Sequence, residues 1–209
     1  MERMGRSQRH PGRDVSGVGA AAPSGSGQPV TTVVTHLEMT TPPARSPRRP
    51  PRAGLEVRLA RRPTVDFYRY LYATVGEPWT WVVRRWLSDA ELAAILGDPR
   101  VEVNVLWIEG VPAGFAELDR RTPADVELAY FGLMPAFIGQ GLGGYLLDWA
   151  IYHAWRSRPR RLWLHTCDLD HPGALAVYQR LGFRIYDRRT TELYLPPGVP
   201  EPARRSRPD

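Results

Sequence analysis

Apolar and polar positions follow two periods along this chain, and the switches between them mark the elements. From Leu128 to Met134 the sequence is almost continuously apolar. That run is too short for a membrane span and has the length of a buried strand. Pro135 ends it, because proline cannot donate to a sheet ladder. Four glycines then fall within six positions, at Gly139, Gly141, Gly143 and Gly144, and Leu146, Leu147, Ala150, Ile151 and Ala154 follow at helical spacing. A strand, a glycine-rich turn and a helix in that order present unpaired backbone N–H groups at a helix N-terminus. Such a terminus attracts anions, and glycine lets a phosphate come close to the backbone.

Upstream, Leu55–Leu59 alternates and reads as a strand, and Pro63-Thr64 opens an aromatic helix over Val65–Val75 that stops at Gly76. A tryptophan-dense connection follows, with Trp79, Trp81 and Trp86 beside Glu77, Arg84 and Arg85. Ser88 and Glu91 have the spacing of a capping box for a short helix over Leu92–Leu96, which Gly97 ends. Val101–Ile108 and Ala113–Asp119 read as strands joined at Glu109-Gly110, a hairpin signal. A turn at Thr122–Asp125 leads into the strand that begins near Val126. In that strand, alternation puts Glu127, Ala129 and Phe131 on one face and Val126, Leu128 and Tyr130 on the other. Beyond the glycine-rich helix, Arg161–Thr166 reads as a buried strand and Gly173–Leu181 as a helix opened by Pro172 and ended by Gly182. Phe183–Tyr186 and Thr190–Leu195 would close the sheet as a last hairpin.

The 209 residues suggest one domain with extensions. Residues 1–53, rich in Gly, Pro, Ser and Arg, have a disordered composition, except that Val30–Met39 could add an edge strand. The domain is expected over 54–196 and a disordered tail over 197–209. A translation start at or near Met39 is the competing reading of the N-terminal segment. All 28 basic residues are arginine, and the net charge is +6. Residues 1–53 hold eight arginines against three acids and residues 201–209 three against two, so residues 54–200 are neutral. The basicity therefore belongs to the tails, and nucleic acid is not expected as a partner of the domain. No apolar segment follows the basic start as a signal peptide would require, and nothing reads as a membrane span. Cys167 is the sole cysteine, which excludes an intrachain disulfide and fits a reducing cytoplasm. No Cys/His cluster has metal-ligand spacing and no serine sits in a nucleophile elbow.

A P-loop needs a lysine, and this chain has none. A dinucleotide fingerprint threads nominally through Gly139, Gly141 and Gly144, with Asp168 somewhat beyond the usual acidic position. It falls late in the chain, after several strands that do not alternate with helices. The glycines alone equally fit a turn that packs a helix against a sheet. The longer run from Leu133 to Gly143, LMPAFIGQGLG, resembles the acetyl-CoA pyrophosphate loop of the GNAT acetyltransferase superfamily, commonly V-x-P-x-x-R-G-x-G-I-G. Downstream, Ala174 to Phe183, ALAVYQRLGF, is similar to that family's A-x-x-L-Y-x-x-x-G-F segment. Two motifs in order, one strand apart, are far more specific than either alone. The resemblance covers about residues 55–195. Ile138 replaces the usual Arg or Gln and His171 the usual Asn.

The resemblance implies a mixed α/β (α+β) sheet of the GNAT acyl-CoA N-acyltransferase fold, in the order β-α-α-β-β-β-α-β-α-β-β. It also implies acetyl transfer from acetyl-CoA to an amine, expected to be a primary amine of a small molecule, by a monomer or homodimer. The cofactor would lie against Phe131, Leu133, Gly139, Gln140, Gly141, Leu142, Gly143, Gly144, His171, Ala174 and Tyr178. Tyr178 would protonate the leaving thiolate, and Glu127 would be the base, with Glu117 as the competing carboxylate. Trp79, Trp81 and His165 would meet the acceptor, and no metal is expected. A catalytically silent acyl-CoA sensor with the same pocket is the alternative, and nucleic-acid binding through the arginine tails a third. Only the first needs Tyr178 and a base.

Overall fold

The computed structural model describes residues 27–202 and arranges them around one seven-stranded sheet. In chain order the elements are β1 (Gln28–Met39), β2 (Leu55–Leu59), α1 (Val65–Gly76), α2 (Asp89–Gly97), β3 (Val101–Ile108), β4 (Val111–Asp119) and β5 (Asp125–Leu133). Then come α3 (Leu142–Trp155), β6 (Arg161–Cys167), α4 (Ala174–Arg180) and β7 (Arg184–Leu195). The strands lie in the order β2-β3-β4-β5-β6-β1-β7. Every neighbouring pair is antiparallel except β5 and β6, which are parallel and joined by α3 as their crossover.

Local chemistry accounts for the element ends. Thr64 caps α1 by accepting a hydrogen bond from the Phe67 N–H, and Ser88 and Glu91 form the reciprocal capping box of α2. Glu109 and Gly110 both take positive φ, as a two-residue hairpin turn of primed type requires. Strand alternation sends Val103, Val105 and Phe115 to a core beneath α1 and α2. Leu106, Ile108, Ala116 and Leu118 go to the opposite core, beneath α3 and α4.

Three sequence expectations change. First, the N-terminal strand is not at an edge: β1 lies between β6 and β7, and Val34 to Leu37 are buried on both faces. Second, Phe183–Tyr186 and Thr190–Leu195 do not form a hairpin. They belong to one stretch whose strand, β7, pairs with β1 from Gln28–Leu195 to Glu38–Arg184, with one irregularity opposite His36 and Leu37. The strand total is still seven, because β1 occupies the place the second half of that hairpin would have taken. Third, the face assignment in β5 reverses midway. Glu117 pairs with Tyr130 and Leu118 with Leu128, leaving Ala129 as an extra residue in the ladder. Tyr130 therefore packs on the α1 side, while Phe131 and Leu133 join Val126 and Leu128 on the α3 side.

The folded unit extends past its expected limits at both ends. Gln28 opens β1, Val199 packs against a small core of Val30, Val82 and Leu195, and Gln28 donates to Glu201 at 3.2 Å. The remainder of the proposed tails, residues 1–26 and 203–209, lies outside the described residues.

An interior β1 makes a stability prediction that an edge strand would not. Leu37 is fully buried, so Leu37→Ala should cost about 2–5 kcal/mol in urea denaturation. A loss within about 0.5 kcal/mol, typical of a surface site, would return β1 to the edge.

Candidate active site

The parallel pair β5–β6 holds together only from Asp125–Arg161 to Glu127–Trp163. Past that point the strands diverge: β6 continues against β1, while β5 continues against β4. Residues 125–128 of β5 are buried and residues 129–133 only partly so, which marks where the wedge opens. A cavity of about 400 Å³ fills it.

At one end of the cavity, a short turn at Pro135–Phe137 leads into Gly139 and Gly141, with φ of 83° and 74°. Glycine holds that left-handed backbone without strain. A side chain at either position would project into open space, so the loop leaves room for a ligand over its backbone. Gly141 is the N-cap of α3 and offers no side-chain acceptor, so the first N–H groups of that helix have no side-chain cap. Gly139, Gly141, Gly143 and Gly144 all line the cavity. This loop fits the anionic part of a CoA thioester. Gln140 turns away, donating to the Ala136 carbonyl at 2.9 Å, and the Leu142 side chain is buried in the core beneath α3. Those two can meet a cofactor only through their backbone.

On α4, Ala174 and Tyr178 line the same cavity, opposite Phe131 and Leu133 of β5. Burial, followed by the charge of Asp170, pushes the Tyr178 phenol above the ordinary tyrosine range. It is held protonated and can only donate its proton when a strong base forms beside it. His171 folds back on its own turn, its Nδ1 accepting from the Gly173 N–H at 3.0 Å and its ring packing edge-on against Trp79 at 4.9 Å.

The two candidate carboxylates have opposite surroundings. Glu117 is wholly buried and accepts from the Arg84 guanidinium at 2.6 Å and from the Tyr68 hydroxyl. Arg84 also lies over the Tyr130 ring, 5.2 Å from its centre, and its backbone N–H donates to the Tyr72 hydroxyl. Both oxygens of Glu117 are thus committed, one to an ion pair with Arg84 and the other to the Tyr68 hydroxyl. Glu127 sits at the point where β5 and β6 part, 3 % exposed, with Oε1 3.4 Å from His165 Nδ1. Burial raises its pKa, and His165 partly offsets that rise. Glu127 does not reach the cavity wall, whereas His165 does. The sequence separates the two residues into base and acceptor contact, and the structure pairs them.

The remaining wall is the connection between α1 and α2. Trp79 and Trp81 line the cavity, and Trp81 packs against Tyr72 and Tyr130 with ring centres 5.4 and 5.2 Å away. Trp86 does not join them; its Nε1 donates to the Tyr194 carbonyl at 2.9 Å and ties the connection to β7. Several wall residues had no signal in the sequence. Asp170 accepts from Trp81 Nε1 at 3.3 Å, from Thr166 Oγ1 at 2.6 Å and from the Cys167 N–H at 3.0 Å, drawing the aromatic connection onto the β6–α4 loop. Thr32 and Val34 come from β1, which the sequence had placed at an edge. Burial, then Asp170, pushes the Cys167 thiol up to about 12, so it stays a thiol and not a nucleophile.

Comparison with known proteins agrees with this arrangement. The profile described as Acetyltransferase (GNAT) family matches residues 64–183. An uncharacterized N-acetyltransferase of Mycobacterium tuberculosis is 32% identical over 107 residues, covering 51% of this chain and 68% of that protein. A mycothiol acetyltransferase of Corynebacterium glutamicum is 30% identical over 105 residues, covering 50% of this chain and 35% of that protein. Among solved structures, a GCN5-related N-acetyltransferase from Sphaerobacter thermophilus superposes with a TM-score of 0.56 at 18% identity, over 83% of this chain and 55% of that one. With both motifs lining one cavity and the family profile spanning more than half its length, this chain belongs to the GNAT acetyltransferase family.

Proposed function

We propose that this chain is a cytoplasmic N-acetyltransferase that moves the acetyl group of acetyl-CoA to the primary amine of a small molecule. One observation carries the reading: a single cavity joins the uncapped N-terminus of α3 to Tyr178 and to His165, behind which Glu127 stands. Its volume of about 400 Å³ suits a small acceptor. The name of the corynebacterial relative, mycothiol acetyltransferase, supports a small molecule too.

In the reaction the amine nitrogen forms a bond to the thioester carbonyl carbon, and the carbon–sulfur bond then breaks. The amine gives up a proton to His165, whose imidazolium the Glu127 carboxylate stabilises from behind. The departing thiolate takes the proton of Tyr178. The aromatic side chains Tyr72, Trp79, Trp81 and Tyr130 exclude water and offer faces that attract a cationic amine before it loses that proton. Glu127 is a positioning residue in this scheme, and His165 and Tyr178 are catalytic.

An acceptor screen scored by free-thiol release tests the whole reading, and sustained absence of product with every amine would favour a silent acyl-CoA sensor. Tyr178→Phe should lower kcat by roughly 10²-fold, within the range of general acid catalysis, and leave acetyl-CoA affinity nearly intact. Unchanged kcat in that variant would remove the acid.

Glu127→Gln should depress kcat/KM most at low and neutral pH. The loss should shrink as pH approaches the pKa of the acceptor, where the amine is already unprotonated. Stability separates this chemistry from a packing role. Because burial raises the pKa of Glu127 in the fold, its ionisation costs stability as pH rises from the ordinary glutamate range through the raised value. The variant removes that cost, so its melting temperature at neutral pH should not fall. A lowered melting temperature with a pH-independent loss of activity would make Glu127 a structural residue.

Gly141→Asp places a carboxylate at the N-cap of α3, beneath the expected pyrophosphate. Calorimetry should find acetyl-CoA binding weakened in a folded variant, and unchanged affinity would move the cofactor site elsewhere.

A further inference from the structure

The linker between β1 and β2, residues 40–54, has no regular structure but is tethered to α3. Asp148, nearly wholly buried on that helix, accepts hydrogen bonds from the Arg45 guanidinium and from the backbone N–H of Arg48 at 2.6 Å. One carboxylate thus grips the linker at two points three residues apart. Gly144 lies one helical turn before Asp148, on the same face. The grip brings the Arg48 guanidinium beside Gly144, where a methyl group on the glycine would lie 3.3 Å from Nη1 and 3.7 Å from Cζ. A larger residue at 144 would push the guanidinium off the first turn of α3. Gly144 is also a wall of the cavity.

The local charge makes this placement informative. No residue from Met134 to Tyr152 is basic, so the glycine loop and most of α3 bring no cation of their own. Arg48 has an exposed side chain and makes no ion pair among the described residues. Arg45 spends its charge on Asp148. One arginine from a segment nearly a hundred residues upstream is therefore held, charged and uncommitted, beside the helix terminus where the loop can take an anion.

We propose that Arg48 is a phosphate-binding residue of the donor site, positioned by Asp148 to contact the phosphates of CoA. The inference rests on the acetyl-CoA reading above and adds a residue that neither cofactor motif contains. The segment that completes the sheet as β1 would, through its linker, also complete the cofactor site.

The test uses the full chain and measures dissociation constants by calorimetry for CoA and 3′-dephospho-CoA, together with kcat/KM for acetyl-pantetheine, which carries no phosphate. Arg48→Gln changes an exposed side chain and leaves the Arg48 N–H to Asp148 in place, so the fold should persist. Loss of one charge-assisted contact should weaken CoA binding about tenfold, with Arg48→Lys recovering part of it. Acetyl-pantetheine should be used equally by variant and parent. A loss seen with CoA but absent with dephospho-CoA supports contact to the 3′-phosphate, and a loss seen with both supports the pyrophosphate. Unchanged CoA affinity in the variant, or an equal loss with acetyl-pantetheine, overturns the role of Arg48 while leaving the donor site standing. Failure of the parent protein to bind CoA at all would instead overturn the donor reading and this one with it.

Discussion

Two parallel strands that pair over three residues and then separate create the problem the rest of this molecule is built to solve. Beyond Glu127 and Trp163, β5 and β6 no longer satisfy each other's backbone groups on the facing edges. Buried backbone groups without partners are costly, so such a gap is retained only where something else can occupy it. Around this gap the protein arranges the turn of α3, the start of α4 and the aromatic connection after α1. The bulge at Ala129 falls at the same place and turns Tyr130 toward α1 and Phe131 toward α3, so both halves of the wedge gain an aromatic wall.

A strand that has lost one neighbour needs the other more. On its far side β6 pairs with β1 from Val34–Cys167 to Met39–Leu162, and β1 in turn holds β7 along nearly its full length. Asp168 in the loop after β6 also accepts from the Thr32 hydroxyl and the Val33 N–H, fastening β1 to the rim of the cavity. The N-terminal strand is thus the support of the cavity's β6 wall. Its linker must then cross the molecule to reach β2 at the opposite edge of the sheet. That path takes it over α3.

Glu117 and Glu127 lie on adjacent strands and are both buried, yet their partners give them different work. Glu117 is neutralised by a guanidinium and also accepts from a phenol, and removing one partner of a buried ion pair is strongly destabilising. Glu127 faces an imidazole, whose charge can change during a reaction as that of an arginine cannot. The same residue type is a structural anchor in one place and, in the proposed reaction, the partner of a base in the other because of what stands opposite.

The features the sequence determined by itself are those whose physics is local. The glycine turn at 139–144 dictates its own backbone, the capping box of α2 closes within four residues, and Tyr178 holds a defined place relative to Gly182 on one short helix. These were legible, and with them the family. What tertiary structure alone decided are pairings between distant residues. Composition marks 30–39, and the runs 183–186 and 190–195, as strands, but such runs suit an edge, a hairpin or an interior ladder alike. The bulge at Ala129 leaves no mark in composition, so the faces of β5 could not be read past Leu128. His165 with Glu127, Asp170 with Trp81, and Arg48 with Asp148 and Gly144 stand 38 to 100 residues apart in sequence, and they meet because the sheet order carries their strands, loops and helix to one place. Sequence spacing carries no distance at that range, since the chain between two contacts can take any path until the sheet order fixes one.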